Sequence, residues 1–319
     1  MTLRLGLLST ASINRAILGG ARVADGVEVV AVASRERERA EAFAAEHGVG
    51  RVHGSYEALL EDPQVDAVYI PLPNALHVAW SIRALEAGKH VLCEKPLTRR
   101  PEEAEAVFDA AERAGLVLAE GFMWRHHAQA RRLRELLAAD AVGALRLIRA
   151  AFSFDIFASP ERAADVRLDA ALDGGGLMDV GCYCVSAMRL LAGEPEDVAA
   201  HQVVGASGVD VRLAATLRFA GDVLGVFDCG LDMVPGAFLE VVGTKGSLFL
   251  GDPWHSRATR IEIRRPGGRE VVEVPPADPY AAELEDFAAA VRGERSHPFG
   301  RADAVGQARA IAALYAAAA

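Results

Sequence analysis

One lysine, one tyrosine and one aspartate in this chain have the types and spacing to move a proton. Of the 34 basic residues among 319, only Lys89, Lys95 and Lys245 are lysine; the other 31 are arginine. Arginine serves wherever positive charge alone suffices, so a retained lysine is a candidate for chemistry that needs an amine able to give up its proton. Lys89 and Lys245 stand in Gly-flanked turns. Lys95 stands in Cys93-Glu94-Lys95-Pro96, where an apolar run stops at a proline. Asp179 and Tyr183 follow Gly174-Gly175-Gly176, four residues apart, so both project from one face near the start of a helix. A carboxylate and a phenol so placed can bind and deprotonate a hydroxyl. Free tyrosine titrates at about 10, and a neighbouring ammonium favours the phenolate. Lys95 and Tyr183 therefore make a candidate acid/base pair, with Tyr183 the base and Lys95 its electrostatic partner, or with Lys95 itself taking the proton. Asp179 accepts from a second substrate hydroxyl.

A second set of residues suits a dinucleotide. Gly6-Leu7-Leu8-Ser9-Thr10-Ala11 keeps the first glycine and the final small residue of the G-x-G-x-x-G/A turn, with Leu8 in place of the middle glycine. Ser9, Thr10 and Ala11, closed by Ile13, can present N–H groups and hydroxyls to a pyrophosphate at a helix start. At the end of the second apolar run an acidic residue would read a ribose 2′-hydroxyl, and an arginine a 2′-phosphate. Here stand Ser34, Arg35 and, one turn on, Arg39, which favour NADP, while Glu36 leaves NAD open. Pro71, Asn74 and His77 follow a further apolar run, again where ligands of such sheets bind.

The elements that must carry these residues alternate in the first third. Strand patterns over residues 3–8, 27–33, 65–70, 90–93 and 116–120 are separated by helical patterns over 14–23, 36–47, 75–87 and 101–114. That order predicts a doubly wound parallel sheet with helices on both faces, a Rossmann domain over residues 1–122. Residues 123–319 change character. Strand patterns over 145–154, 198–205, 211–219, 224–229, 239–242, 260–264 and 270–274, with helices over 177–191, 280–291 and 302–318, predict an α+β domain on a large, open, mainly antiparallel sheet. One face of such a sheet is left to bury against a second copy of the chain, as a homodimer or higher homo-oligomer.

Composition excludes other classes. A net charge of −10 opposes nucleic-acid or anionic-membrane partners, and no apolar run reaches the ~20 residues of a membrane span. Four scattered cysteines (Cys93, Cys182, Cys184, Cys229) read as reduced thiols of a cytoplasmic protein, and Cys182-Tyr183-Cys184 lacks a second pair at zinc spacing, so no metal is expected.

Ala87 to Val91 (AGKHV) followed by Glu94-Lys95-Pro96, together with the glycine-rich segment carrying Asp179 and Tyr183, resembles the Gfo/Idh/MocA oxidoreductase family over the whole length. Tyr183, where sugar and inositol dehydrogenases of the family carry histidine, and the stretch 121–127 (GFMWRHH) are similar to its branch of dimeric dihydrodiol dehydrogenases and NADP-dependent D-xylose dehydrogenases. The resemblance implies an active site between the two domains and dimerisation through the C-terminal sheet. It adds Glu94, Lys95, Trp124 and Arg125 to the cofactor-binding residues, and Phe154 and Tyr280 to the substrate wall beside Lys95, Asp179 and Tyr183. Trp254 is a further candidate for that wall. The implied activity is hydride transfer between a D-xylose-like sugar or polyol hydroxyl and nicotinamide C4. A trans-dihydrodiol dehydrogenase is the alternative, and a non-catalytic dinucleotide-binding sensor or scaffold the alternative of another class.

Overall fold

A computed structural model describes residues 2–158, 165–256 and 259–318. The chain divides into two units, one of Met1–Met123 with Asp278–Val305 and one of Trp124–Ala277 with Gly306–Ala319. This corrects the expected pair of consecutive domains, 1–122 and 123–319. The chain returns to the first unit at Asp278, because the helix that follows buries its apolar face there.

The first unit runs β1 (Leu3–Leu8), α1 (Asn14–Ala21), β2 (Val27–Ala33), α2 (Arg37–His47), β3 (Arg51–His53), α3 (Tyr56–Leu60), β4 (Ala67–Ile70), α4 (His77–Glu86), β5 (His90–Glu94), α5 (Pro101–Ala114) and β6 (Leu118–Gly121). All strands are parallel, in the order β3-β2-β1-β4-β5-β6. Leu3, Leu5, Leu7 and Leu8 are buried on both faces of β1, as a central parallel strand requires. The strand order reverses between β1 and β4, so the turn after β1 and the loop after β4 flank the crevice where ligands of doubly wound sheets bind. Edge strand β3 and helix α3 carry too few residues to show a period, and sequence reading missed both.

The second unit holds α6 (Ala128–Ala138), β7 (Leu145–Asp155), α7 (Cys182–Ala192), β8 (Pro195–Val204), β9 (Asp210–Phe219), β10 (Val223–Gly230), β11 (Asp232–Gly243), β12 (Ser247–Gly251), β13 (Arg260–Arg265) and β14 (Gly268–Glu273). Its eight strands run in the order β14-β13-β12-β11-β7-β10-β9-β8, antiparallel except for the β7–β10 pair. In β9, Val211, Leu213, Ala215, Leu217 and Phe219 point inward while Arg212, Ala214, Thr216 and Arg218 face out. α7 packs against β7 and β10 on the inner side. The outer face is less apolar than the strand patterns suggest. Leu224 and Val226 are exposed on it, but Arg149 pairs with Glu240 at 2.9 Å, and Arg264 lies 3.8 Å over the Phe249 ring, which stacks on Phe238. Strand β12 was missed, and β11 is longer than its apolar core of 239–242, because Pro235 and Gly236 break the alternation at a register shift.

Helix α8 (Pro279–Val291) begins at Asp278, whose Oδ1 accepts from the Tyr280 and Ala281 N–H groups, and packs on α1. α9 (Arg301–Ala317) contributes residues to both units. α8 also buries Glu283 completely, with neither carboxyl oxygen hydrogen-bonded among the described residues. Burial pushes its carboxyl well above the ordinary range, and the nearby Glu94 and Asp286 add to the rise. The folded state therefore keeps a proton that the unfolded chain releases, so this group's stabilising contribution is complete below the ordinary carboxyl range and is lost as pH rises. Glu283→Gln removes that loss. The stability difference between the variant and the parent, from denaturant melts at pH 5 to 8, is expected to grow with pH by up to about 1.4 kcal/mol per unit. A difference independent of pH would show that Glu283 is ionised in the fold.

Candidate active site

The loop that bears Lys95 is bolted from three sides. Glu94 ends β5 and accepts the Tyr69 hydroxyl on Oε1 and the Lys95 N–H on Oε2 (3.2 Å). Glu120, buried in β6, accepts the Leu97 N–H at 2.7 Å. The ring of His77 lies between two carbonyls, Nδ1 2.9 Å from Pro96 and Nε2 2.7 Å from Leu72. His77 is fully buried, and burial, with a smaller effect of the Lys95 charge, pushes its pKa down to about 4. This corrects its reading as a cofactor ligand: both ring nitrogens join the loop after β4 to the loop after β5. The other two lysines have structural employment. Lys89 Nζ donates to the Asp62 and Val65 carbonyls, each at 2.8 Å, and Lys245 pairs with Asp140 at the surface.

The turn after β1 is built for close approach. Ser9 takes a φ of 148°, unfavourable for a residue with a side chain, and such strain persists only where the surroundings enforce it. Asn14 Nδ2 donates to the Ser9 carbonyl at 2.7 Å, while its buried Oδ1 has no partner among the described residues. Ser9, Thr10, Ala11 and Ile13 are half-exposed around this turn. Gly6 is not part of it. It lies inside β1, where a Cβ would come within 2.8 Å of Leu59 Cδ2, so its missing side chain serves packing. At the end of β2, Ser34 is buried and its Oγ accepts the Glu36 N–H, while Arg35 and Arg39 are exposed. Tyr56, which sequence reading did not single out, lies against both arginines: burial raises its phenol, and the two guanidiniums oppose the rise. Strained turn, orphaned amide oxygen and exposed guanidiniums together fit a phosphorylated dinucleotide. Pro71 is buried directly after β4, and Asn74 opens the short turn that leads into α4.

In the second unit the Gly174–Gly176 loop is clamped on both sides. In front, the Gly175 and Gly174 N–H groups donate to the carbonyls of Arg167 (2.9 Å) and Asp169 (3.0 Å). Behind, Asp210 accepts the Leu177 N–H at 2.6 Å and the Tyr315 hydroxyl at 2.8 Å. Burial pushes the Asp210 carboxyl up, and these donors counter it. Gly175 has a φ of +125°, and a Cβ there would fall 2.1 Å from Asp210 Oδ1, so the glycine is required. The segment expected as one helix over 177–191 opens instead with a π turn, Leu177–Gly181, before α7. Asp179 sits in that turn and Tyr183 in the first turn of α7. π turns inside helices recur at functional sites.

The ring of Tyr183 is walled by Phe152, with centroids 5.3 Å apart, and by Trp254 at 6.0 Å. Trp254 donates its Nε1–H to the Ala151 carbonyl at 2.8 Å, which fixes it against β7. Phe152 carries the wall where sequence reading named Phe154, two residues on along the same strand face and half-buried. Tyr280 is in the first unit, packed at the edge of its core. Trp124 and Arg125 are buried in the second unit. Trp124 meets Trp254 edge-on at 5.5 Å, and Arg125 Nε donates to Ser186 Oγ at 2.6 Å. His127 caps α6 through Nδ1, and its Nε2 lies 3.1 Å from the Ala277 carbonyl. No group of three or more His, Cys, Asp or Glu side chains among the described residues could hold a metal ion.

Comparison with known proteins agrees with this geometry. Residues 12–122 match the oxidoreductase family with the NAD-binding Rossmann fold, Gfo/Idh/MocA, and residues 130–249 match the Gfo/Idh/MocA C-terminal domain. The D-xylose 1-dehydrogenase (NADP(+)) 2 of Haloferax volcanii is 40% identical over 317 residues, covering 97% of this chain and 95% of the relative. The chain belongs to the Gfo/Idh/MocA oxidoreductase family. Another Gfo/Idh/MocA relative, the trans-1,2-dihydrobenzene-1,2-diol dehydrogenase of Danio rerio, is 36% identical over 78% of this chain and 74% of its own. Among solved structures, KijD10, a 3-ketoreductase from Actinomadura kijaniata in complex with NADP and TDP-benzene, superposes with a TM-score of 0.93 at 34% identity, covering 99% of this chain and 98% of its own. The parallel Rossmann sheet and the mainly antiparallel C-terminal sheet are thus those of a Gfo/Idh/MocA oxidoreductase.

Proposed function

We propose that this protein is an NADP-dependent dehydrogenase that oxidises the C1 hydroxyl of an aldose resembling D-xylose. The observation that carries the reading is the Asp179–Tyr183 face. Asp179 in the π turn and Tyr183 in the first turn of α7 stand four residues apart, and the Tyr183 ring lies beside those of Phe152 and Trp254, a combination of apolar wall and few polar anchors suited to a small polyhydroxylated ring. The full-length similarity to a D-xylose 1-dehydrogenase supports the same substrate class. The aromatic wall also suits a cyclic trans-dihydrodiol, which is the second reading.

Bound NADP would supply the hydride acceptor, C4 of its nicotinamide. The chain's own residues handle the proton and the orientation. Tyr183 Oη takes the proton of the reacting hydroxyl, with Lys95 the alternative acceptor. Asp179 accepts from a neighbouring hydroxyl and fixes the ring. Arg35 and Arg39 would hold the 2′-phosphate of NADP, and the Ser9–Ile13 turn its pyrophosphate. Four free, buried cysteines suit the reducing cytoplasm, and Leu224 and Val226 on the open sheet face suit contact with a second copy of the chain.

The first test is a screen of aldoses and trans-dihydrodiols for NADP reduction by absorbance. Turnover of D-xylose is expected, and dihydrodiols without aldoses would select the second reading. NADP binding without turnover of any hydroxyl substrate would favour a sensor. Tyr183→Phe should cost 10²- to 10⁴-fold in rate, the usual value of general-base catalysis, and remove the limb along which oxidation rises with pH. A variant that keeps both would pass the role to Lys95.

Cofactor choice is tested by fluorescence titration with NADPH and NADH. Arg35→Ala should weaken NADPH by about 10- to 100-fold, the worth of a hydrogen bond to a charged group, and leave NADH nearly unchanged. Equal losses would overturn the assignment.

Oligomeric state is tested by sedimentation velocity at micromolar concentration. The parent chain is expected to sediment as a dimer or larger assembly, and Val226→Glu to shift it towards monomer. A monomeric parent would remove the proposed interface.

A further inference from the structure

Arg167 stands in a short turn, Val166–Leu168, well before the glycine loop, and nothing in its sequence context marks it. Its guanidinium nevertheless reaches the site. Nε lies 2.9 Å from Asp179 Oδ2, and NH1 donates to both carboxyl oxygens of Asp165, at 3.2 and 3.1 Å. Asp165 in turn accepts the Arg167 N–H at 3.0 Å, which fixes the turn. The Arg167 carbonyl accepts the Gly175 N–H at 2.9 Å. One residue thus ties down the glycine loop with its backbone and the Asp179 carboxylate with its side chain, while 42% of that side chain stays exposed.

We propose that Arg167 is a positioning residue for the oxidation: it holds Asp179 ionised and in one orientation, so that Asp179 accepts a hydrogen bond from substrate and does not compete with the base for the reacting proton. The proposal rests on the dehydrogenase reading given above. Asp165 and Arg167 lie in front of Asp179, Tyr183 stands one turn further along the helix, and Asp210 lies behind the glycine loop. The Cys182 thiol meets the Asp179 carbonyl, not its carboxylate. Arg167 contacts the Asp179 carboxylate, and the charge of Asp179 is the largest influence keeping Arg167 protonated. An ion pair at this distance favours both charged forms. Removing Arg167 takes that ion pair away and makes protonation of the carboxylate easier.

Three variants separate positioning from mere support of the fold. Arg167→Gln should raise the KM for the aldose at least tenfold, with a smaller fall in kcat, and should add an acidic limb to the pH profile of kcat/KM. Arg167→Lys keeps the charge and should restore the parent profile with an intermediate KM. Asp179→Asn should match the KM loss of Arg167→Gln but show no acidic limb. NADPH affinity should stay at the parent value in all three. Arg167→Gln with the parent KM and pH profile would overturn the proposal, as would an equal loss in Arg167→Lys and Arg167→Gln. A second readout needs no turnover. In carbon-detected NMR the Asp179 carboxyl should titrate at higher pH in Arg167→Gln than in the parent chain. An unchanged titration overturns the role of Arg167, whereas a shifted titration in a protein that oxidises no aldose overturns only the dehydrogenase reading.

Discussion

A backbone N–H or C=O taken out of water has to find a partner, and the loops that carry the chemistry here meet that demand with buried side chains. The Lys95 loop does so through Glu120 on the Leu97 N–H and His77 beside the Pro96 carbonyl. The glycine loop before Asp179 does so through Asp210 on the Leu177 N–H. Lys89 satisfies two carbonyls where the chain enters β4. Each bolt is itself a polar group that only its hydrogen bonds make tolerable inside the protein, so bolt and loop stabilise each other. The same requirement explains why His77 and Glu120, which sit among the site residues in sequence, turn inward instead of towards a ligand.

The division of labour between arginine and lysine follows from their shapes. A guanidinium presents a planar fork that matches a carboxylate, and Arg4–Asp66, Arg51–Asp62 and Arg189–Glu194 are all two-pronged. An ammonium is a compact charge whose donors can be shared between separate carbonyls, as at Lys89, and it can be deprotonated, as Lys95 would need only in the role of proton acceptor. With 31 arginines to three lysines, the exceptions carry information. Arg167 belongs to the fork-forming class, and its fork is divided between a structural carboxylate, Asp165, and a functional one, Asp179.

Buried acidity is the other recurring theme. Glu283 and Asp210 both lie in places where water cannot stabilise their charge, and burial raises both carboxyls. Asp210 has donors aimed at it from Leu177 and Tyr315. Glu283 has none among the described residues and sits near Glu94, whose two oxygens are engaged by Tyr69 and the Lys95 N–H. The strand end that presents Lys95 is therefore set in a neighbourhood of carboxyl and phenol groups, some of them neutral, rather than in bulk solvent.

The amino-acid sequence by itself determined the architecture, because burial patterns are local. Strands buried on both faces read as continuous apolar runs, so β1 and β2 were legible to the residue, and alternation gave β9 and β10 to within one. It also determined which residues could do chemistry, since Lys95, Asp179 and Tyr183 stand out by rarity and spacing. What each polar side chain touches was decided only by the tertiary structure. His77 has a type suited to a site, yet both its ring nitrogens are engaged inside the fold. Gly6 serves a leucine rather than a phosphate. Tyr56, Phe152, Arg167 and Asp210 gave no sequence signal, because Arg39 and Arg35 lie 17 and 21 positions from Tyr56, Tyr183 lies 31 from Phe152, Asp179 lies 12 from Arg167 and Leu177 lies 33 from Asp210. Hydrogen bonds and ion pairs act over a few ångströms of space, and no pattern along a chain encodes which distant segments folding will bring within that reach.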